Sequence, residues 1–172
     1  MDLTKLKTSD WIILGSALVL LIASFLPWFE VTASVEDFGS SSASGNGWDV
    51  GFFWAGLPVL LGLAMAAYVA IKAFSQTQLP DAPWPVILLA AGALAALIVI
   101  LTLLIGEDAG EAEIGDVFNS GVDIDVKRAF GLFLATLASI GLAAGAFLKF
   151  QEDKAGGSAG YRAPGSTPPT PF

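Results

Sequence analysis

The sequence contains no cysteine and no histidine. The first absence rules out a disulfide framework, a thiolate nucleophile and a thiolate metal ligand. The second removes the commonest metal ligand, the usual haem ligand and the usual general base together. Charge is scarce as well, at 14% of residues, where a soluble domain carries about a quarter. Basic residues are the rarest: eight Lys and Arg stand against sixteen Asp and Glu, and the net charge of −8 argues against nucleic acid as a partner. No cofactor is implied.

Apolar residues dominate instead, at 55%, and they are gathered into long runs. The first, Trp11 to Glu30, reads WIILGSALVLLIASFLPWFE and has nineteen uncharged positions. As a helix it reaches roughly 28 Å, close to the hydrocarbon thickness of a bilayer. Three similar runs follow, so spans are expected at about 11–29, 51–73, 85–105 and 129–150. The predicted fold class is an all-α membrane protein: a four-helix transmembrane bundle filling residues 1–150 as one domain, with a small extracytoplasmic β cap. Residues 151–172, rich in Gly, Ser, Thr and Pro, read as a disordered cytoplasmic tail.

Ser9-Asp10 is a helix-start pair ahead of Trp11. A secretory signal is the rival reading of this start, but the apolar core exceeds the 7–15 residues of a signal h-region. Pro58, inside the second span, is expected to kink it. Pro85 suits the first turn of the third. In the first loop Val31, Ala33 and Val35 alternate with Glu30, Thr32 and Ser34, the pattern of a half-buried strand, before a flexible Ser/Gly stretch from Gly39 to Gly47. The loop from Gly106 to Val126 contains a second strand signal, a hairpin in which Val117-Phe118 and Val122, Ile124 and Val126 flank Asn119-Ser120-Gly121. These pieces predict a three-stranded cap on one membrane side. Six of the eight Lys and Arg fall on the other side, so both termini are expected in the cytoplasm and the protein in the plasma membrane.

Three sets of residues stand out as candidates for function. Trp11, Trp28, Trp48, Trp54 and Trp84 lie near span ends, as interfacial anchors do. Small residues recur at helical spacing: Gly62, Ala66 and Ala70 in the second span, Gly131 and Ala135, then Gly141 and Gly145, in the fourth. Such stripes let backbones approach closely where lipid supplies no hydrophobic push. The outer acidic cluster Glu107, Asp108, Glu111, Glu113, Asp116, Asp123 and Asp125 is either a solvated face or a weak divalent-cation site, and its spacing does not match the known calcium loop. The few hydroxyls, Ser16, Ser24, Thr102, Thr136 and Ser139, read as donors to the carbonyl one turn back or to a neighbouring helix. The tail offers Thr167 and Thr170 within a polyproline-type sequence, as a docking or phosphorylation segment.

The first span ends Ser24-Phe25-Leu26-Pro27-Trp28-Phe29; a Ser/Gly-rich loop, Trp48, an aromatic-led second span and a Pro/Gly-rich tail follow. This layout resembles small four-span membrane proteins of actinobacteria. The resemblance implies a bacterial envelope setting and brings no functional residues. In outline the layout is also similar to claudins, whose paired loop cysteines are missing here, so that likeness is architectural analogy.

No predicted span carries Asp, Glu, Lys, Arg or His in its core, which disfavours proton relays and ion-coupled transport. The expected function is a non-enzymatic structural or accessory component of a cell-envelope complex. Its partners are the lipid bilayer and either another membrane protein or further copies of the chain. A passive channel or lipid-handling protein is the alternative, and an outer cation sensor a third reading.

Overall fold

A computed structural model describes residues 6–35, 39–74, 82–115 and 122–158. The order of elements is α1 (Thr8–Ala23), β1 (Pro27–Val35), β2 (Gly39–Asn46), a short α2 (Gly47–Val50), a π-helical turn (Phe52–Gly56), α3 (Leu57–Phe74), α4 (Trp84–Gly115), β3 (Val122–Arg128) and α5 (Phe130–Ser158). Helix α5 packs against α1 and α4, and α3 packs against the other sides of the same two helices, so the four long helices form a ring. Its centre is filled by Ile13, Ala17, Leu20, Val59, Met65, Val99, Leu132 and Leu142, each at most 3% exposed.

Three helical stretches are long and apolar enough to cross a membrane: Phe52–Phe74, Trp84–Gly106 and Phe130–Ala155. The first expected span is different. Its helix covers sixteen residues, about 24 Å, and stops at Ala23. The cause is Pro27, which cannot continue a helix and disfavours helical backbone at the residue before it. The chain leaves α1 through a turn and runs on as β1, so Pro27-Trp28-Phe29 begins a strand and does not end a helix.

At Pro58, where a kink is expected, the helix is irregular. A π-helical turn, Phe52–Gly56, runs into α3 at Leu57, so Pro58 lies within the helical stretch Phe52–Phe74 just after a local departure from α-helical geometry. At the other boundaries helix replaces predicted loop. Helix α4 runs on to Gly115 and α5 to Ser158, so residues 151–158 are helical and do not belong to the expected disordered tail. Good helix formers extend both apolar cores, Glu and Ala in α4 and Gln, Glu, Lys and Ala in α5.

The sheet has the order β2-β1-β3 and is antiparallel throughout. β1 is the strand expected from the alternation of Val31, Ala33 and Val35. One of its two partners differs from expectation. The Ser/Gly stretch read as flexible is strand β2, pairing with β1 from Gly39↔Val35 to Asn46↔Pro27. β3 pairs with β1, Val126 facing Val31, as the expected three-stranded cap requires. Val117-Phe118 and Asn119-Ser120-Gly121 lie outside the described residues.

Candidate functional site

The two ends of the ring concentrate its polar and specific contacts. At the sheet end three consecutive residues bind the helices to the sheet, each through a glycine. The Pro27 carbonyl lies where a Cβ on Gly131 of α5 would meet it at 2.5 Å. The Trp28 ring covers Gly47, whose Cβ would come within 2.9 Å of it, and the Phe29 ring covers Gly106 of α4 at 2.6 Å by the same measure. Trp28 is fully buried. Its indole N–H donates to the Ala23 carbonyl at 2.8 Å, which also accepts the Leu26 N–H at 3.1 Å, so the ring is tied to the turn that ends α1. The Gly47 N–H donates to the Ser24 carbonyl at 3.0 Å and the Ala129 N–H to the Trp28 carbonyl at 2.8 Å. Trp28, expected as an interfacial anchor, is therefore a packing centre. Burial of its N–H with a partner is what a tryptophan in a dry site requires.

The other end, where α1 starts and α5 finishes, holds a buried ion pair. The Lys149 ammonium donates to the Asp10 carboxylate, with side-chain exposures of 5% and 9%. Asp10 also accepts the Lys7 backbone N–H at 3.1 Å, capping α1. One turn further along α5, Glu152 accepts from the Ser9 hydroxyl at 2.8 Å and stands 3.7 Å from the Lys7 ammonium. A pocket of about 160 Å³ opens beside the pair, lined by Lys7, Asp10, Val69, Lys72, Lys149 and Asp153 among others. Next to it, Tyr68 stacks on Trp84 with ring centroids 5.0 Å apart, and the Lys72 ammonium lies 5.8 Å over the Tyr68 ring. This cluster was missed in the sequence. The available signal was Asp10 and Lys149 lying at matching depth on two antiparallel helices, the first read as a helix start and the second as a span end.

The candidate packing residues fall into three places. Gly62 faces Leu142, Leu20 and Ala17; Gly141 faces Ser16, and Gly145 faces Ile12 and Ile13 of α1. Ala135 is fully buried, whereas Ala66 and Ala70 are half-buried on α3. Gly131 serves the sheet junction described above. Among the tryptophans, Trp11, Trp48 and Trp54 are 54%, 41% and 39% exposed. Ser24 and Ser139 donate to carbonyls three residues back, and Thr102 and Thr136 to carbonyls four back.

The outer acids are distributed over two elements. Glu107, Asp108, Glu111 and Glu113 lie on the last turns of α4, Asp123 and Asp125 on β3, and Asp116 outside the described residues. Asp125 pairs with Lys127 at 2.7 Å, which raises the Lys127 pKa above its usual value, chiefly through that hydrogen bond. The Arg128 Nε donates to the Leu103 carbonyl at 2.7 Å, tying β3 to α4. Among the described residues no cluster of three or more acidic side chains is arranged to hold a metal ion. Thr167 and Thr170 lie outside the described residues.

No protein-family model matches this chain, and no curated protein matches it. The geometry therefore stands alone. It is that of a membrane protein with three helices able to span and a fourth, shorter apolar helix completing the ring.

Proposed function

We propose that the protein is a non-enzymatic structural or accessory component of a cell-envelope complex, set in the plasma membrane with both termini in the cytoplasm. The observation that carries this reading is the use made of buried charge. Asp10 and Lys149 neutralise each other and staple α1 to α5, an arrangement that fixes helices in place and leaves neither group free to carry a proton or ion. The ring is filled by interlocking apolar side chains, while Leu18, Ile22, Leu97, Leu104, Phe133 and Leu137 remain 52–68% exposed to lipid or to a neighbouring helix. The orientation is supported by the excess of Lys and Arg on the side of the termini. The resemblance to small actinobacterial four-span proteins fits a bacterial envelope.

The test is purification in mild detergent after brief cross-linking in the membrane. A second membrane protein recovered in stoichiometric amount is the expected result; recovery of this chain with no stoichiometric foreign protein overturns the reading. One observation favours the passive channel or lipid-handling alternative. An apolar groove of about 360 Å³ between α1 and α5, lined by Trp11, Gly15, Ser16, Val19 and Leu137, has the width and character to take an acyl chain. Liposomes containing the purified protein would then show lipid scrambling or solute flux, and silent liposomes remove that alternative.

A further inference from the structure

The pocket at the terminal end of the ring is bordered by more charge than the α1–α5 staple uses. Six charged side chains line or adjoin it: Lys7, Lys72 and Lys149 against Asp10, Glu152 and Asp153. They sum to zero. Asp10 and Lys149 neutralise each other, and Lys7 stands 3.7 Å from Glu152. Lys72 and Asp153 are left over. They line the same pocket from α3 and α5, yet among the described residues neither has an ion pair or a side-chain hydrogen bond. The pocket also lies at headgroup depth. Lys72 comes two residues before the end of the apolar stretch Phe52–Phe74, and Trp84 opens the next stretch, Trp84–Gly106. At about 160 Å³ the cavity is smaller than the roughly 300–1,000 Å³ of a site that encloses a whole small molecule, so it suits a headgroup and not a complete lipid.

From this arrangement we infer that the pocket binds a zwitterionic phospholipid headgroup carrying a phosphate and a primary ammonium, as in phosphatidylethanolamine. Lys72 donates to the phosphate, and Asp153 accepts from the ammonium. Lys7 adds a second donor to the phosphate, because its contact with Glu152 is longer than a hydrogen bond and an ammonium has three N–H groups. Charge selects this headgroup over an anionic one. A pocket whose charges sum to zero favours a ligand that carries both signs and is neutral overall, whereas anionic lipids are held by clusters of about four or more Lys and Arg. Choline is disfavoured on two counts. Its quaternary nitrogen has no N–H to give Asp153, and the Tyr68 ring, whose face could attract it, already stacks on Trp84 and carries Lys72. The inference needs the membrane setting alone and rests on neither of the functions proposed above.

The test is native mass spectrometry of the full chain in mild detergent. It is titrated with phosphatidylethanolamine, phosphatidylcholine and phosphatidylglycerol of identical acyl chains, and with water-soluble phosphoethanolamine. Phosphatidylethanolamine is expected to bind about tenfold more tightly than either other lipid, the worth of one charge-assisted hydrogen bond. Phosphoethanolamine is expected to bind far more weakly, since it is not held at the pocket by the bilayer. Equal binding of the three lipids, or tighter binding of phosphatidylglycerol, overturns the inference. So does displacement of the lipid by an equal concentration of phosphoethanolamine, which would make the site one for a soluble phosphate ester. Two variants then separate the pocket from the lipid that coats any membrane protein. Asp153→Asn is expected to bring phosphatidylethanolamine down to the level of phosphatidylcholine, and Lys72→Met to weaken all three lipids about tenfold. Both leave the Asp10–Lys149 pair in place, so the thermal midpoint should hold. If both variants keep the native affinities and preference, the bound lipid is a general bilayer contact and the inference falls.

Discussion

The sheet end and the terminal end of the ring close by different physics. At the sheet end Pro27, Trp28 and Phe29 fit against Gly131, Gly47 and Gly106, and the joint is one of shape, with a single indole hydrogen bond fixing the ring. At the terminal end α1 and α5 are joined by Asp10 and Lys149, and then by Ser9, Lys7 and Glu152. A shape joint fails when volume is added or removed, and charge-neutral substitutions elsewhere leave it alone. A charge joint fails when one partner is removed, and removing both together does far less damage. The difference yields opposite expectations for single and paired substitutions.

The largest effect is expected at Trp28. Replacing it with alanine empties a fully buried site between the end of α1 and Gly47 and removes the indole donor to the Ala23 carbonyl. A loss of about 4 kcal/mol follows from such cavities, read as a lower thermal midpoint in detergent. Phenylalanine at the same position restores much of the volume without the N–H donor and should recover part of the loss. Lys149→Met comes next, since it leaves the buried Asp10 carboxylate without its ammonium partner, at about 3 kcal/mol. Combining it with Asp10→Leu should return most of that stability. If the double variant is as unstable as the single one, the terminal end is not held by charge pairing and the contrast between the two ends fails.

The difference also explains what could be read from the sequence. Apolar length alone located three spanning helices, because hydrophobic thickness is a local property. The strand at Val31 to Val35 was legible by its alternation with Glu30 to Ser34. β2 was not, since Gly39 to Asn46 has no strand signature and takes its shape from β1. Trp28 lies near a span end, where lipid-facing tryptophans gather, and only the turn before Pro27 directs it into the core. Asp10 and Lys149 are 139 residues apart, and each has an ordinary local explanation. Contacts of that range follow from the closing of the helix ring and have no local signal. The small-residue spacing in α5 did mark close approaches at Gly141 and Gly145, but the spacing could not name α1 as their partner.

A smaller effect sharpens the account of the shape joint. A methyl group on Gly47 would lie 2.9–3.1 Å from the Trp28 ring and from Ala55, so one of them must move. Gly47→Ala should cost about 1–2 kcal/mol. The loss should disappear in a Trp28→Ala background, where the obstructing ring is gone. Additive losses in the two variants would mean that Gly47 is needed for its backbone and not for the space it leaves.

The smallest expected effect tests charge at the sheet end itself. Lys127 is exposed, and Asp125 raises its pKa above the usual 10.5 by hydrogen bonding and by charge. A lysine whose folded pKa is raised contributes stability that is complete below its unfolded value and vanishes as pH rises through the folded one. The margin between the native chain and Asp125→Asn should therefore be small and constant from neutral pH up to about 10, then close as Lys127 loses its proton. Added salt should shrink the same margin at neutral pH, because exposed pairs are screened. The Trp28 substitutions should show no comparable salt dependence, since no charge takes part in that joint. Thermal midpoints of the native chain and these three variants across pH and ionic strength make the comparison. A salt-insensitive Asp125 margin would mean that β3 is held to β1 by its backbone ladder and by Val126 against Val31, with the Asp125–Lys127 pair adding nothing.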